Sequence, residues 1–236
     1  MQMIMKKIFG ILFFFSCTIS FSYAQNVNTI LQKVKDKLNL VNDYEASGEM
    51  KTKVIFLKVP VANVKIYYKK PDKLKIKNEK GISFIPKGAV SININNVLTN
   101  NTFTALDGDI AKIGNTNVRV IKLLPADDPD SYRDDVVLST LYIDDNFLIL
   151  KAKTTTKDNG TYELEMSYGK YAAYGLPDKV IFTFNTKDYK IPKGVTFDYS
   201  EDKKKAPDKA QARKGTIQIT YRSYLINKGL SEAVFK

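Results

Sequence analysis

The stretch Val64 to Asn78 reads VKIYYKKPDKLKIKN, and its alternation decides what kind of fold the chain can form. Val64, Ile66 and Tyr68 alternate with Lys65, Tyr67 and Lys69; beyond a Lys70-Pro71-Asp72 turn, Leu74 and Ile76 alternate with Lys73, Lys75 and Lys77. A period of two on both sides of a turn predicts a β-hairpin with one apolar face and one lysine-lined face. The lysines are expected to face water, where their repulsion discourages edge-to-edge pairing. Two strands alone are not stable, so the apolar face needs a cover, from further strands or from a ligand.

Upstream of the hairpin, Glu45 to Leu57 reads as a strand, and before it Val27, Ile30, Leu31, Val34, Leu38 and Val41 recur at spacings of three and four. That spacing predicts an amphipathic helix over Val27 to Val41, started by Asn26 or Asn28 and ended by Asn42-Asp43. Downstream, weaker strand signals lie around Ile82 to Ile85, Val90 to Ile94, Thr102 to Leu106, Ile110 to Ile113 and Val118 to Leu124, with Pro86-Lys87-Gly88 and Asp107-Gly108 read as turns. Pro125 to Asp135 carries two prolines and five aspartates and reads as a surface loop. Stronger strands follow at Leu138 to Ile143, Leu148 to Thr155, Thr161 to Tyr168, Lys179 to Asn185 and Thr216 to Leu225, with turns at Asp144-Asp145-Asn146 and Asp158-Asn159-Gly160. Leu164 and Met166, Phe182 and Phe184, and Ile217 and Ile219 each share a face, so successive antiparallel strands present one apolar side. The charged stretch Pro192 to Lys214 reads as a loop between the last two strands.

The first segment stands apart. Lys6 and Lys7 precede the apolar run Ile8 to Phe15, and Ser22-Tyr23-Ala24 places small residues where a signal peptidase reads, so residues 1–24 are expected to be a secretory signal and 25–236 a single domain. Cys17, the chain's one cysteine, offers the alternative of a lipidated N-terminus. The formal charge is +12, and loss of Lys6 and Lys7 with the signal leaves +10. Spread along strand faces, that charge points to solubility and anionic headgroups rather than to nucleic acid. With no histidine there is no Ser-His-Asp triad and no imidazole-held metal; no cofactor and no metal are expected. Asp127-Asp128 and Asp134-Asp135 are paired carboxylates, but they lack calcium-loop spacing and read as solvated turn residues. No catalytic residues are expected.

A helix after a signal, a strand, and then the hairpin Tyr68-Lys69-Lys70-Pro71-Asp72-Lys73-Leu74-Lys75 make the chain resemble the periplasmic lipoprotein carriers, the LolA-like and outer-membrane lipoprotein-sorting proteins of Gram-negative bacteria. Gly175 to Phe184, GLPDKVIFTF, adds to the likeness. The resemblance implies a mainly β fold with α: a curved antiparallel sheet, an unclosed half-barrel, covered by helices that include the N-terminal one. It implies a periplasmic carrier or chaperone, acting as a monomer, that holds the acyl chains of lipoproteins or other lipids and exchanges them with inner- or outer-membrane partners. A lipid- or stress-sensing module signalling to a membrane partner is the alternative. The trough is expected to be lined by Ile66, Tyr68, Leu74, Ile76, Leu164, Met166, Phe182, Phe184, Ile217 and Ile219, with Ile30, Leu31, Val34 and Leu38 forming a lid. In the carriers an early-strand arginine fastens the lid; Glu45 to Leu57 holds none.

Overall fold

The computed structural model describes residues 26–54, 57–58, 60–71, 73–80, 98, 103–125, 136–157, 160–185 and 214–236. The expected signal, Cys17, the segments around Ile82 to Ile85 and Val90 to Ile94, the four paired aspartates and nearly all of the charged stretch before Lys214 lie outside them.

Helix α1 spans Val27–Asn39. Asn26 caps it, its side-chain oxygen accepting from the Asn28 N–H at 2.9 Å. Ile30, Leu31 and Val34 are buried on one face. The helix ends two residues before the expected Val41, because the chain must turn into the sheet there: Val41 is buried, and Asp43 already begins β1.

The strands are β1 Asp43–Val54, β2 Leu57–Lys58, β3 Ala62–Lys69, β4 Lys73–Lys80, β5 Phe103–Ile113, β6 Thr116–Pro125, β7 Val136–Ile143, β8 Ile149–Thr156, β9 Gly160–Ser167, β10 Lys179–Asn185 and β11 Lys214–Ile226. They form one antiparallel sheet in the order β4-β3-β1-β11-β10-β9-β8-β7-β6-β5, with β2 folded back on β1. The outermost strands β4 and β5 do not pair with each other, so the sheet is the unclosed half-barrel that the resemblance implies. Among the described residues one α-helix lies over it, on β5 and on the short 3-10 turn Ala172–Tyr174. Val64, Ile66 and Tyr68 are fully buried, as the hairpin's alternation requires.

Two expected turns or strands are different. Asp107-Gly108 is no turn: β5 runs through it, and the pairing slips between Asp107 and Ile110 opposite β6. A Cβ on Gly108 would stand 2.8 Å from the Val120 carbonyl oxygen, so the glycine marks a bulge where two backbones crowd. The long strand Glu45 to Leu57 stops at Val54, and Leu57 pairs back with Val54.

The lysine face of the hairpin is also not left to water. Lys69 lies 2.9 Å from the Glu232 carboxylate, which Lys73 also contacts, and Lys75 donates to the carbonyls of Val234 at 2.8 Å and Lys236 at 2.7 Å. These bonds fasten the 3-10 turn Glu232–Phe235 to the outside of β3 and β4. Lys73, then Lys69, hold the Glu232 carboxyl down to about 2.

A further bulge sets the phase of the central pair. Ser47 faces Ser223 but Gly48 faces Tyr221, leaving Arg222 as the extra residue of β11. The slip brings both Tyr221 and Tyr224 into the core, which an unbroken alternation would forbid. Gly48 is required at this point, since its Cβ would lie 2.6 Å from the Thr220 carbonyl oxygen. Gly48→Ala should therefore destabilise the fold by about 1–3 kcal/mol, seen as a lower urea midpoint. A midpoint equal to that of the parent protein would show that the bulge does not need the glycine.

Candidate functional site

Helix α1 covers part of the concave face of the sheet, and the helical Leu98 is buried in the same core. Between α1 and the sheet lies a cavity of about 170 Å³. Its floor comes from β1, β3, β4, β9, β10 and β11, its roof from Val34, Lys37 and Leu38 of α1, and its end wall from residues 147–149 and 175–177.

Of the ten expected trough residues, Ile66, Tyr68, Leu74 and Ile76 line it from the hairpin, and Leu164, Met166, Phe182, Ile217 and Ile219 from the later strands. Phe184 does not line it. Its ring stacks on Phe182 at 5.5 Å and lies flat over Gly215, where a Cβ would come within 2.5 Å of it. Of the expected lid residues, Val34 and Leu38 face the cavity, while Ile30 and Leu31 are buried in the core that α1 shares with the sheet.

Sequence reasoning did not single out two groups of the wall. The first is Phe147. In a polar turn it was no candidate, yet it sits at φ 59, a left-handed conformation that a bulky side chain seldom takes. The Asp144 carboxylate holds the turn by accepting from the N–H groups of Asn146 at 3.0 Å and Leu148 at 2.7 Å. Phe147 is thereby placed under the helix, where Lys33 rides 4.6 Å over its ring. Next to it Lys37 donates to the Asn146 carbonyl at 2.8 Å.

The second group is a tyrosine cluster, of which only Tyr68 was an expected trough residue. Tyr44, Tyr68, Tyr168 and Tyr221 are on the cavity wall. Tyr224 packs behind them, 5.3 Å from Tyr44, 4.9 Å from Tyr221 and 4.9 Å from Tyr171, ring centre to ring centre. Its hydroxyl donates to the Pro177 carbonyl at 2.7 Å, and that of Tyr168 to the Ile149 carbonyl at 2.9 Å. Burial pushes the phenols up: Tyr221 to about 12, and Tyr44, Tyr168 and Tyr224 well above the usual range. All four stay neutral at physiological pH. The Tyr221 signal was half legible, because it continues the Ile217, Ile219 alternation; Tyr44 is in phase with Ala46 and Met50 but precedes the strand as read from the sequence, which starts at Glu45.

No protein-family model and no curated protein matches the chain. Solved structures do match. A DUF1329 family protein from Desulfovibrio piger superposes with a TM-score of 0.55 at 13% identity, over 89% of this chain and 97% of that one. A putative outer membrane lipoprotein-sorting protein domain from Vibrio parahaemolyticus gives 0.54 at 12% identity, over 89% and 97%. A LolA superfamily protein from Nitrosomonas europaea gives 0.53 at 10% identity, over 90% and 98%. The chain has a LolA-like fold.

How α1 is attached bears on what the cavity can admit. Its C-terminal end is held by directed bonds: Asn227 donates to the Leu40 carbonyl at 2.8 Å and accepts from the Asn42 N–H at 2.7 Å, and Lys70 donates to the Asn39 carbonyl at 3.0 Å. The buried Asp43 carboxylate in turn accepts from the N–H groups of Lys228 and Gly229, fixing the Asn227 turn against β1. The rest of the helix is held by apolar contact and by three lysine contacts: Lys33 on Phe147, Lys37 on the Asn146 carbonyl, and Lys35 5.2 Å over the Phe103 ring of β5. The geometry is that of a pivot at residues 39–42. Asn227 has φ 56, which glycine tolerates, so Asn227→Gly removes the side chain without strain. It should cost about 1–2 kcal/mol and speed amide exchange in α1 more than in the sheet. Uniform acceleration across both elements would mean that Asn227 supports the whole fold and not the pivot.

Proposed function

We propose that this protein is an envelope carrier that shelters the acyl chains of lipids or lipoproteins between its curved sheet and α1. It works in the periplasm, receiving its cargo from an inner-membrane partner and passing it toward the outer membrane. The observation that carries this reading is the apolar cavity itself: a sheet and helix evolved only to pack would close on each other, and here about 170 Å³ stays open between them. The lipoprotein-sorting domain among the structural neighbours points the same way.

Magnitude decides how the cavity is used. An apolar space of about 150 Å³ accepts a benzene-sized group. Roughly six buried carbons at about 0.8 kcal/mol each give about 5 kcal/mol, which is sub-millimolar affinity before any association cost. A full acyl chain needs more room, and α1 supplies it by swinging on its pivot. The exchange is nearly balanced, because the cargo replaces Val34 and Leu38 as the apolar cover.

Two tests follow from this. Val180 lines the cavity without being fully buried, so Val180→Phe fills the space and leaves the core in place. It should weaken a fluorescent acyl-chain probe by about 2 kcal/mol, roughly thirtyfold, with unfolding unaffected. Lys51→Asp, an exposed change away from the cavity, serves as the control; equal loss from both would put binding on the charged surface instead. A cysteine pair joining α1 to the turn at residues 144–148 tests the swing. Oxidation should weaken the probe about tenfold and reduction should restore it. If the oxidised form binds as well as the reduced one, α1 is a fixed wall.

A further inference from the structure

Helix α1 carries Lys33, Lys35 and Lys37, and among the described residues none of the three pairs with a carboxylate. Lys33 lies over the Phe147 ring, Lys35 over the Phe103 ring of β5, and Lys37 donates to the Asn146 carbonyl. Asp36, the acid of the helix, is on its exposed side and accepts from Gln32. The sheet treats many of its cations differently: Lys65, Lys69, Lys73, Arg119, Lys151 and Arg222 each meet an acid. A ring face or a carbonyl leaves the charge of a lysine uncompensated and holds it weakly where water reaches it. Placement completes the pattern. At about 3.6 residues per turn, Ile30, Leu31, Val34 and Leu38 form one stripe, with Lys33 and Lys37 along one flank and Lys35 along the other. The contacts agree, since residues 146–147 receive the first pair and β5 receives Lys35. An apolar stripe between unpaired lysines is the layout of a helix that lies in a lipid interface, its lysine stems along the acyl boundary and its ammonium groups at the phosphates.

We propose that α1, swung out on its pivot at residues 39–42, docks in the surface of an anionic bilayer, with Ile30, Leu31 and Val34 in the acyl boundary and Lys33, Lys35 and Lys37 on headgroup phosphates. This rests on the swing of α1 in the carrier reading and adds to it a lipid surface as the partner that drives the swing. Opening in water would expose the apolar stripe and the cavity together, which is unfavourable. At an anionic surface the stripe is buried again, and three lysines exchange neutral partners for phosphates, which bind them more strongly. The cavity therefore opens where lipid can enter or leave and stays covered between membranes. A permanent cover would be held more firmly by acids opposite its lysines, and the facing positions hold two phenylalanines and a carbonyl instead.

The test is co-sedimentation with vesicles of phosphatidylcholine alone or of equal parts phosphatidylcholine and phosphatidylglycerol. The parent protein should sediment with the anionic vesicles and not with the neutral ones. The chain has no tryptophan, so Val27→Trp, on the same stripe and far from the pivot, supplies an indole that is read alone. Brominated lipid in the anionic vesicles should quench it. Joint replacement of Lys33, Lys35 and Lys37 by Gln should weaken vesicle binding about fivefold for each lysine, about a hundredfold in all. The same change at Lys51, Lys53 and Lys153, exposed on the outer face of the sheet, should leave it within about twofold. If these lysines only latched α1 to the sheet, removing them would ease the swing and leave recruitment unchanged or stronger, which would overturn the proposal. Equal loss from both triple variants would overturn it too, as would an indole that stays unquenched while the protein sediments. A protein that binds an acyl-chain probe yet is recruited by neither vesicle keeps the carrier reading and sinks this one, leaving a protein partner to open the cavity.

Discussion

The pairing of β1 with β11 is what turns two separate meanders into one sheet. On one side of it stand β3 and β4, contributed by the residues that follow β1; on the other stand β10 back to β5. The two partners are more than 150 residues apart along the chain, as in Tyr44 facing Ile226. Neither half can bury its apolar face alone, so the entropy of closing this long loop must be met before the core forms. The pair is also where the two ends of the fold meet, since the helix enters at Asp43 and the C-terminal segment leaves at Asn227. The bonds between Asp43, Asn227 and Gly229 join helix, central strands and C-terminal segment at a single corner.

From that corner the cavity follows. The bulge at Gly48 and Arg222 turns two tyrosines inward near the pivot, so the wall is phenolic close to where α1 is fixed and aliphatic farther along. The helix is held at one end by hydrogen bonds, which are directional, and over the cavity by apolar contact, which is not. Away from that end α1 is also held through its own lysines: Lys33 on Phe147, Lys35 on Phe103 and Lys37 on the Asn146 carbonyl.

Charge does a different job on the outer face. The lysines of β3 and β4 would repel each other on a bare edge, and Glu232 and the carbonyls of Val234 and Lys236 use them to dock a C-terminal turn there. Three of the lysines that signalled a hairpin edge to be kept apart from other strands are thus committed to the protein's own chain. Lys65 is likewise paired, with Glu45 and Glu79.

What the sequence by itself determined is what is local. The alternation of Val64, Ile66 and Tyr68 and of Leu74 and Ile76 set which side of the hairpin is buried, and the spacing of Ile30, Leu31 and Val34 set the face of the helix, because each period is a property of neighbouring residues. Nine of the ten residues read as one apolar face do line one cavity, since alternation reports the face of a strand whatever its partner. Only the tertiary structure decided the rest. Phe184 shares its face with Phe182 yet lies over Gly215 outside the cavity, because what opposes a residue is set by the next strand's register. Gly108 read as a turn and is a bulge, since a glycine serves either and the partner strand chooses. Phe147 and Tyr224 reach the site or its backing through a left-handed turn and a bulge. Both break the period on which sequence reading relies, and a broken period becomes legible only when the paired strand shows where it is restored.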